Sequence, residues 1–89
     1  MTARSLEIVN EKGLHARAAA KFVEVVEAHD AGAQVEKDGM RVAGDSIMGL
    51  LTLGAARGAT ITVETDGTDA VRLAEALEKL VANGFGEPM

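Results

Sequence analysis

Polar and apolar residues alternate over residues 4–8, which sends Leu6 and Ile8 to one face of a first predicted strand. Residues 10–13 then read as a loop. From Ala16 the period lengthens. Ala19, Phe22, Val23 and Val26 recur at the i, i+3, i+4, i+7 spacing of an apolar helical stripe, with Lys21, Glu24 and Glu27 facing water. Asp30-Ala31-Gly32 ends that helix. Residues 33–37 and 40–43 are two short strand-like runs joined by Asp38-Gly39, a hairpin signal because the turn needs positive backbone angles, and Val35 and Val42 are expected in the core. The apolar run 47–53 suits a short helix capped by Ser46 or Asp45 and closed by Gly54. Residues 60–65 alternate with Ile61 and Val63 inward, and Asp66-Gly67-Thr68-Asp69 supplies a turn and a cap. A last helix is predicted over 70–83, with Leu73, Ala74, Leu77, Leu80 and Val81 inward, Gly84 as a left-handed stop and Phe85 folding back behind it. The element order is β-α-β-β-α-β-α, an α+β arrangement suited to an antiparallel sheet with helices on one face. Periodicity does not supply the strand order.

Composition narrows the picture. The 89 residues make one small domain, 1–89, with a modest core, and the aromatic content of 2% leaves that core to aliphatic side chains, Phe22 being its largest expected member. Without cysteine there is no disulfide, thiolate metal site or cysteine nucleophile, and a reducing, cytoplasmic location is expected. The net charge of −5 without a basic cluster argues against nucleic acid or an anionic membrane as partner. No apolar run is long enough to cross a bilayer, and the first residues lead into a strand pattern rather than a signal peptide.

The chemistry concentrates at Gly13-Leu14-His15-Ala16-Arg17. With a helix beginning at Ala16, His15 falls at or next to the N-cap, where Ser, Thr, Asp or Asn would be the usual residue. A histidine there breaks a local rule, and the orphan N–H groups and positive dipole end make the spot suited to an anion. The histidine can carry that anion itself, because a neutral imidazole nitrogen is nucleophilic near neutral pH and its bond to phosphorus is labile. Arg17 opposes the dipole in the first helical turn, so a local anion is needed to justify it.

The element order, Gly13-Leu14-His15-Ala16-Arg17 and Ser46-Ile47-Met48-Gly49-Leu50 together resemble the HPr phosphocarriers of the phosphoenolpyruvate-dependent phosphotransferase system, over nearly the whole chain. The resemblance implies an open-faced β-sandwich with sheet order 1-4-2-3. It also implies that His15 accepts a phosphoryl group on Nδ1 from Enzyme I and passes it to a downstream EIIA-type acceptor, in sugar uptake or its regulation. On this reading the chain is a phosphocarrier rather than an enzyme, uses no cofactor, acts as a monomer, and relies on Arg17 to stabilise the phosphate. Most members continue with proline after the arginine, where this chain has Ala18, and the ending Asn83-Gly84-Phe85-Gly86-Glu87 looks more like nitrogen-branch relatives than like sugar-transport carriers.

Other residues carry two readings. Ser46 is a helix cap on the residues alone. In Gram-positive members the matching serine is a target of a dedicated kinase, a pattern from which Asp45 departs. Met48, Leu50, Leu51 and Leu53 cannot all face inward on one short helix. Ala16, Ala20, Ile47, Met48 and Leu51 are therefore expected to form a partner-binding surface, with Met48 and Leu51 exposed. His29 sits near the far end of the first helix and is read as a dipole partner, and two distant histidines without spaced carboxylates make no metal site. Gly44 and Gly49 stand at phosphate-loop spacing, but Leu50-Leu51 replace the Lys-Ser/Thr that nucleotide binding needs. The alternative function is a small-ligand-binding regulatory module with His15 lining a pocket, and a hydrolase ranks last because no nucleophile or orienting carboxylate lies in the motif.

Overall fold

In the computed structural model, which describes residues 2–87, the chain runs β1 (Thr2–Glu7), α1 (Ala16–Glu27), β2 (Gly32–Lys37), β3 (Met40–Ala43), α2 (Ile47–Thr52), β4 (Thr60–Asp66) and α3 (Ala70–Ala82), followed by a 3₁₀ turn at Gly84–Gly86. Met1, Pro88 and Met89, which the expected domain 1–89 includes, lie outside the described residues. All strand neighbours are antiparallel, in the order β1-β4-β2-β3. This is the α+β architecture and the order that the resemblance implies.

One layer is the sheet, whose inward residues are Leu6, Ala33, Val35, Ile61 and Val63; the other is helical, with Ala18, Ala19, Phe22, Val23 and Val26 from α1 and Leu73, Ala74, Leu77 and Val81 from α3. The alternation read in β4 extends one step further, because Thr65 is also buried and its hydroxyl donates to the Ala70 carbonyl at 2.7 Å. The opposite sheet face stays open to water and carries charges. Arg41 of β3 donates there to Glu36 on β2 and Glu64 on β4.

Several expectations need correction. Val42 is only half-buried, because β3 is an edge strand with one neighbour. Leu80 is half-buried at the rim of the core, and α3 stops at Ala82, one residue early, with Asn83 as its C-cap. Asp69 stands at the N-cap of α3 without capping it; its Oδ2 instead accepts from the Asp30 N–H at 2.9 Å, tying the two turns at that end of the sheet together. Leu51 is half-buried and packed against the core, because in this six-residue helix Leu50 takes the fully inward position and Leu51 lies beside it; Ile47 and Met48 are left exposed.

The end of the chain follows the expected turn. Gly84 (φ 62°), Phe85 (φ 57°) and Gly86 (φ 76°) are three successive residues in the left-handed region. A bulky side chain adopts that region at a cost of about 1–3 kcal/mol, and here the ring of Phe85 is fully buried in the core, which offsets it. Replacing Phe85 by alanine is expected to lower stability by about 3 kcal/mol or more. A thermal melt should show the midpoint falling by about 12 °C or more.

Candidate functional site

Gly13 brings the chain to the start of α1. Its φ of 67° suits glycine, and a Cβ there would lie 2.5 Å from the Ala55 carbonyl oxygen, so no larger residue fits without moving the backbone. The next residue, Leu14, is buried and donates its N–H to that same oxygen at 2.8 Å, which fixes the approach. His15 then takes the N-cap in an extended conformation (φ −87°, ψ −177°). Its carbonyl accepts the first helical bond, from Ala19 N–H at 2.8 Å. Its Nδ1 accepts from the Arg17 N–H at 3.2 Å, so the ring does for the helix what a capping hydroxyl or carboxylate would. The N–H groups of Ala16 and Ala18 have no acceptor within the helix.

The other ring nitrogen meets a carboxylate that the sequence reading had not singled out. Nε2 of His15 donates to Oε2 of Glu87 at 2.5 Å, and the Glu87 side chain is only 13% exposed. The second oxygen of Glu87 accepts from Nδ2 of Asn10 at 3.0 Å, and the same Nδ2 donates to the Gly13 carbonyl at 2.9 Å. Asn10, read as a polar loop residue, is fully buried. Its Oδ1 is buried and lacks a partner among the described residues. The signal for Glu87 was the Gly-Phe-Gly triplet before it, which redirects the chain from the end of α3 toward the start of α1. Lys21 holds that return, donating to the Phe85 carbonyl at 2.7 Å.

Beside the ring lies an open depression of about 160 Å³ lined by Glu11, Lys12, Arg17 and Glu87. Lys12 and Arg17 are exposed and make no ion pair among the described residues. Burial pushes the Glu87 carboxyl up, but hydrogen bonds from Asn10 and His15 and the electrostatic attraction of His15 and of the Lys21 charge outweigh it and hold the group below its ordinary value of 4.5. Ionised Glu87 can only accept and so requires an N–H at Nε2, while a backbone N–H demands a lone pair at Nδ1, so both contacts select the same tautomer.

The remaining candidates sit on neighbouring surface. Ala16 is exposed and Ala20 half-buried on α1. Ser46 caps α2, its Oγ accepting from Gly49 N–H at 3.0 Å, which settles the choice between it and Asp45. Met48 is 73% and Ile47 40% exposed. His29 donates from Nδ1 to the Val25 carbonyl at 2.7 Å, a second donor beside the Ala28 N–H at the end of α1.

The family described as PTS HPr component phosphorylation site matches residues 2–83. The chain belongs to the HPr family. Phosphocarrier protein HPr of Neisseria meningitidis serogroup A is 45% identical over 87 residues, covering 98% of each chain, and that of Cupriavidus necator is 41% identical with the same coverage. The crystal structure of HPr-C-His from Thermoanaerobacter tengcongensis superposes with a TM-score of 0.95 at 37% identity, covering all of both chains. As an HPr-family member the chain is a phosphocarrier protein of the phosphotransferase system and not itself an enzyme.

A carboxyl held below its ordinary value adds stability that is present above the unfolded value of 4.5 and is lost as pH falls through the lower folded value. Urea melts of the parent and of Glu87→Gln, compared from about pH 7 down to about pH 3, should therefore show the parent's advantage at neutral pH shrinking below about 4.5.

Proposed function

We propose that His15 accepts a phosphoryl group on Nδ1 from Enzyme I and passes it to a downstream EIIA-type acceptor. The observation that carries this reading is the N-cap placement of the ring, with Nδ1 as the unprotonated nitrogen turned to the first turn of α1. In the acceptance step the Nδ1 lone pair attacks phosphorus and the bond between phosphorus and the donor atom breaks, its electron pair returning to the donor. Onward transfer reverses the process, with the pair returning to Nδ1. Once Nδ1 bears phosphorus, the Arg17 N–H loses its acceptor there and becomes, with the Ala16 and Ala18 N–H groups, a donor for phosphate oxygens.

Arg17 adds the charge. A charge-assisted hydrogen bond contributes about 1.5–3 kcal/mol and the helix terminus about 0.3–1 kcal/mol. Sums of that size hold a phosphate without trapping it, as a carrier requires. The docking surface is Ala16, Ala20, Ile47 and Met48, with Leu51 supporting it from its half-buried place. The working form is a cytoplasmic monomer of one domain, in sugar uptake or its regulation, and the dedicated kinase known for some relatives would act at Ser46. The regulatory-module alternative needs a pocket, and two depressions of about 240 and 260 Å³ fall short of the ~300 Å³ typical of ligand sites and lie away from His15.

Incubation with phosphoenolpyruvate and Enzyme I, followed by intact mass and an acid-lability test, checks the assignment. His15→Ala is expected to accept no acid-labile phosphate while keeping its fold, losing the cap contribution of about 0.5–2 kcal/mol together with the bond to Glu87. Arg17→Ala is expected to slow acceptance about 10- to 100-fold, the rate equivalent of one charge-assisted bond. An unchanged rate removes Arg17 from the mechanism. Ser46→Asp retains a capping oxygen, so its melting temperature should stay near the parent's while the added charge beside Met48 slows acceptance; transfer at the parent rate would place docking elsewhere.

A further inference from the structure

The His15 ring is gripped at both nitrogens, but only one grip survives the reaction. When phosphorus binds Nδ1, the contact with the Arg17 N–H ends, and the contact between Nε2 and Glu87 is the one that remains. We propose that Glu87 is a positioning residue for His15: its carboxylate keeps the proton on Nε2, leaves the Nδ1 lone pair to the incoming phosphoryl group, and balances the positive charge the ring gains as the bond to phosphorus forms. The proposal rests on the phosphocarrier reading above and assigns a role to a residue on the far side of the ring from the reaction.

The charge balance explains why a carboxylate matters here. Before transfer the ring is neutral, with one proton on Nε2, and Glu87 accepts an ordinary charge-assisted hydrogen bond. As Nδ1 donates its electron pair to phosphorus, the proton stays on Nε2 and the ring becomes an imidazolium. The attraction to Glu87 is then stronger than before, so the carboxylate stabilises the transition state and the phosphorylated form more than the starting state. A carboxylate behind a catalytic histidine works the same way in a serine protease triad, holding the tautomer and stabilising the imidazolium without taking the proton. On onward transfer the electron pair returns to Nδ1 and the ring is again neutral, with its proton unmoved.

The carboxylate is held firmly enough for this. Asn10, fully buried, donates to its other oxygen; the Glu87 N–H donates to the Gly84 carbonyl at 3.0 Å; and the turn before it is pinned by the buried Phe85 ring and by Lys21. None of these contacts uses a group that must move for phosphate to reach Nδ1. The titratable groups facing the carboxylate are His15, Lys21, Lys12 and Arg17, all basic, and Glu11, which lines the rim of the same depression.

The experiment uses the parent, Glu87→Gln and Glu87→Ala, each checked for an unchanged fold by circular dichroism. Two quantities are read: the single-turnover rate of phosphate acceptance from Enzyme I, and the ¹⁵N signals of the phosphorylated His15 ring as a function of pH. Removing the outer partner of a metal-bound histidine typically costs 10- to 100-fold, and by the same orienting logic both variants should accept phosphate at least about tenfold more slowly. Their phosphorylated rings should lose the Nε2 proton at lower pH than the parent's. Gln keeps the shape and removes only the charge, so a variant that matches the parent in either quantity overturns the proposal; a slower rate with an unmoved proton would assign Glu87 a purely structural part. Failure of the parent itself to take phosphate on His15 would instead overturn the phosphocarrier reading, and the two failures are thereby told apart.

Discussion

The grip on the two nitrogens of His15 is the constraint around which the rest of the structure is arranged. The contact at Nδ1 is local, a backbone N–H two residues on. The contact at Nε2 spans 72 residues of chain and requires the segment after α3 to come back over the start of α1. Each contact needs a preparation. Gly13 lets the backbone pass within contact of residues 55 and 56, so that the helix begins where it does. Phe85 anchors the return of the chain after α3 in the common core, so that Glu87 arrives at the ring rather than trailing past it. Enlarging Gly13 or removing the ring of Phe85 would displace the site without touching any group that contacts it.

The scaffold separates its duties by face. Strands and helices bury one aliphatic core between them, and the site lies at the edge of that core, where the loop after β1 enters α1. The far side of the sheet carries cross-strand charges such as Arg41 with Glu36 and Glu64. Exposed pairs of this kind contribute about 0–1 kcal/mol each, so they contribute more to solubility and to guarding the edge strand β3 than to holding the fold. The stability that keeps His15 in place comes from the apolar layer beneath it. The site's own interactions are charge-assisted and partly open to water, as suits the phosphate transfer proposed for His15.

Local readings succeeded wherever the signal was periodic or steric and short in range. The stripe of α1, the Asp38-Gly39 hairpin, the inward Ile61 and Val63, the left-handed Gly84 and the cap by Ser46 all follow from neighbours within a few residues, and the structure agrees with each. Readings failed where burial depends on who the neighbour is. Val42 lost its full burial because β3 has nothing on its outer edge. Leu51 lost its exposure because Leu50 and the core decide how a six-residue helix rolls. Asp69 looked like a cap and became a tie to Asp30, a partner 39 residues away.

The sequence by itself determined the class of the fold, the element order, the location of the candidate histidine His15 at the start of α1 and, through resemblance, the family. These rest on backbone propensity and side-chain spacing, which are written along the chain. Only the tertiary structure decided that Glu87 and Asn10 belong beside His15. The Gly-Phe-Gly triplet before Glu87 announces a turn but not where it leads, and a loop asparagine is unremarkable on its own terms. Their pairing with His15 depends on the path the chain takes after α3, which is set by burying one phenylalanine in a core that exists only once the sheet and helices have come together. A hydrogen bond across 72 residues has no periodicity to announce it, and its energy is available only after that packing has closed the loop.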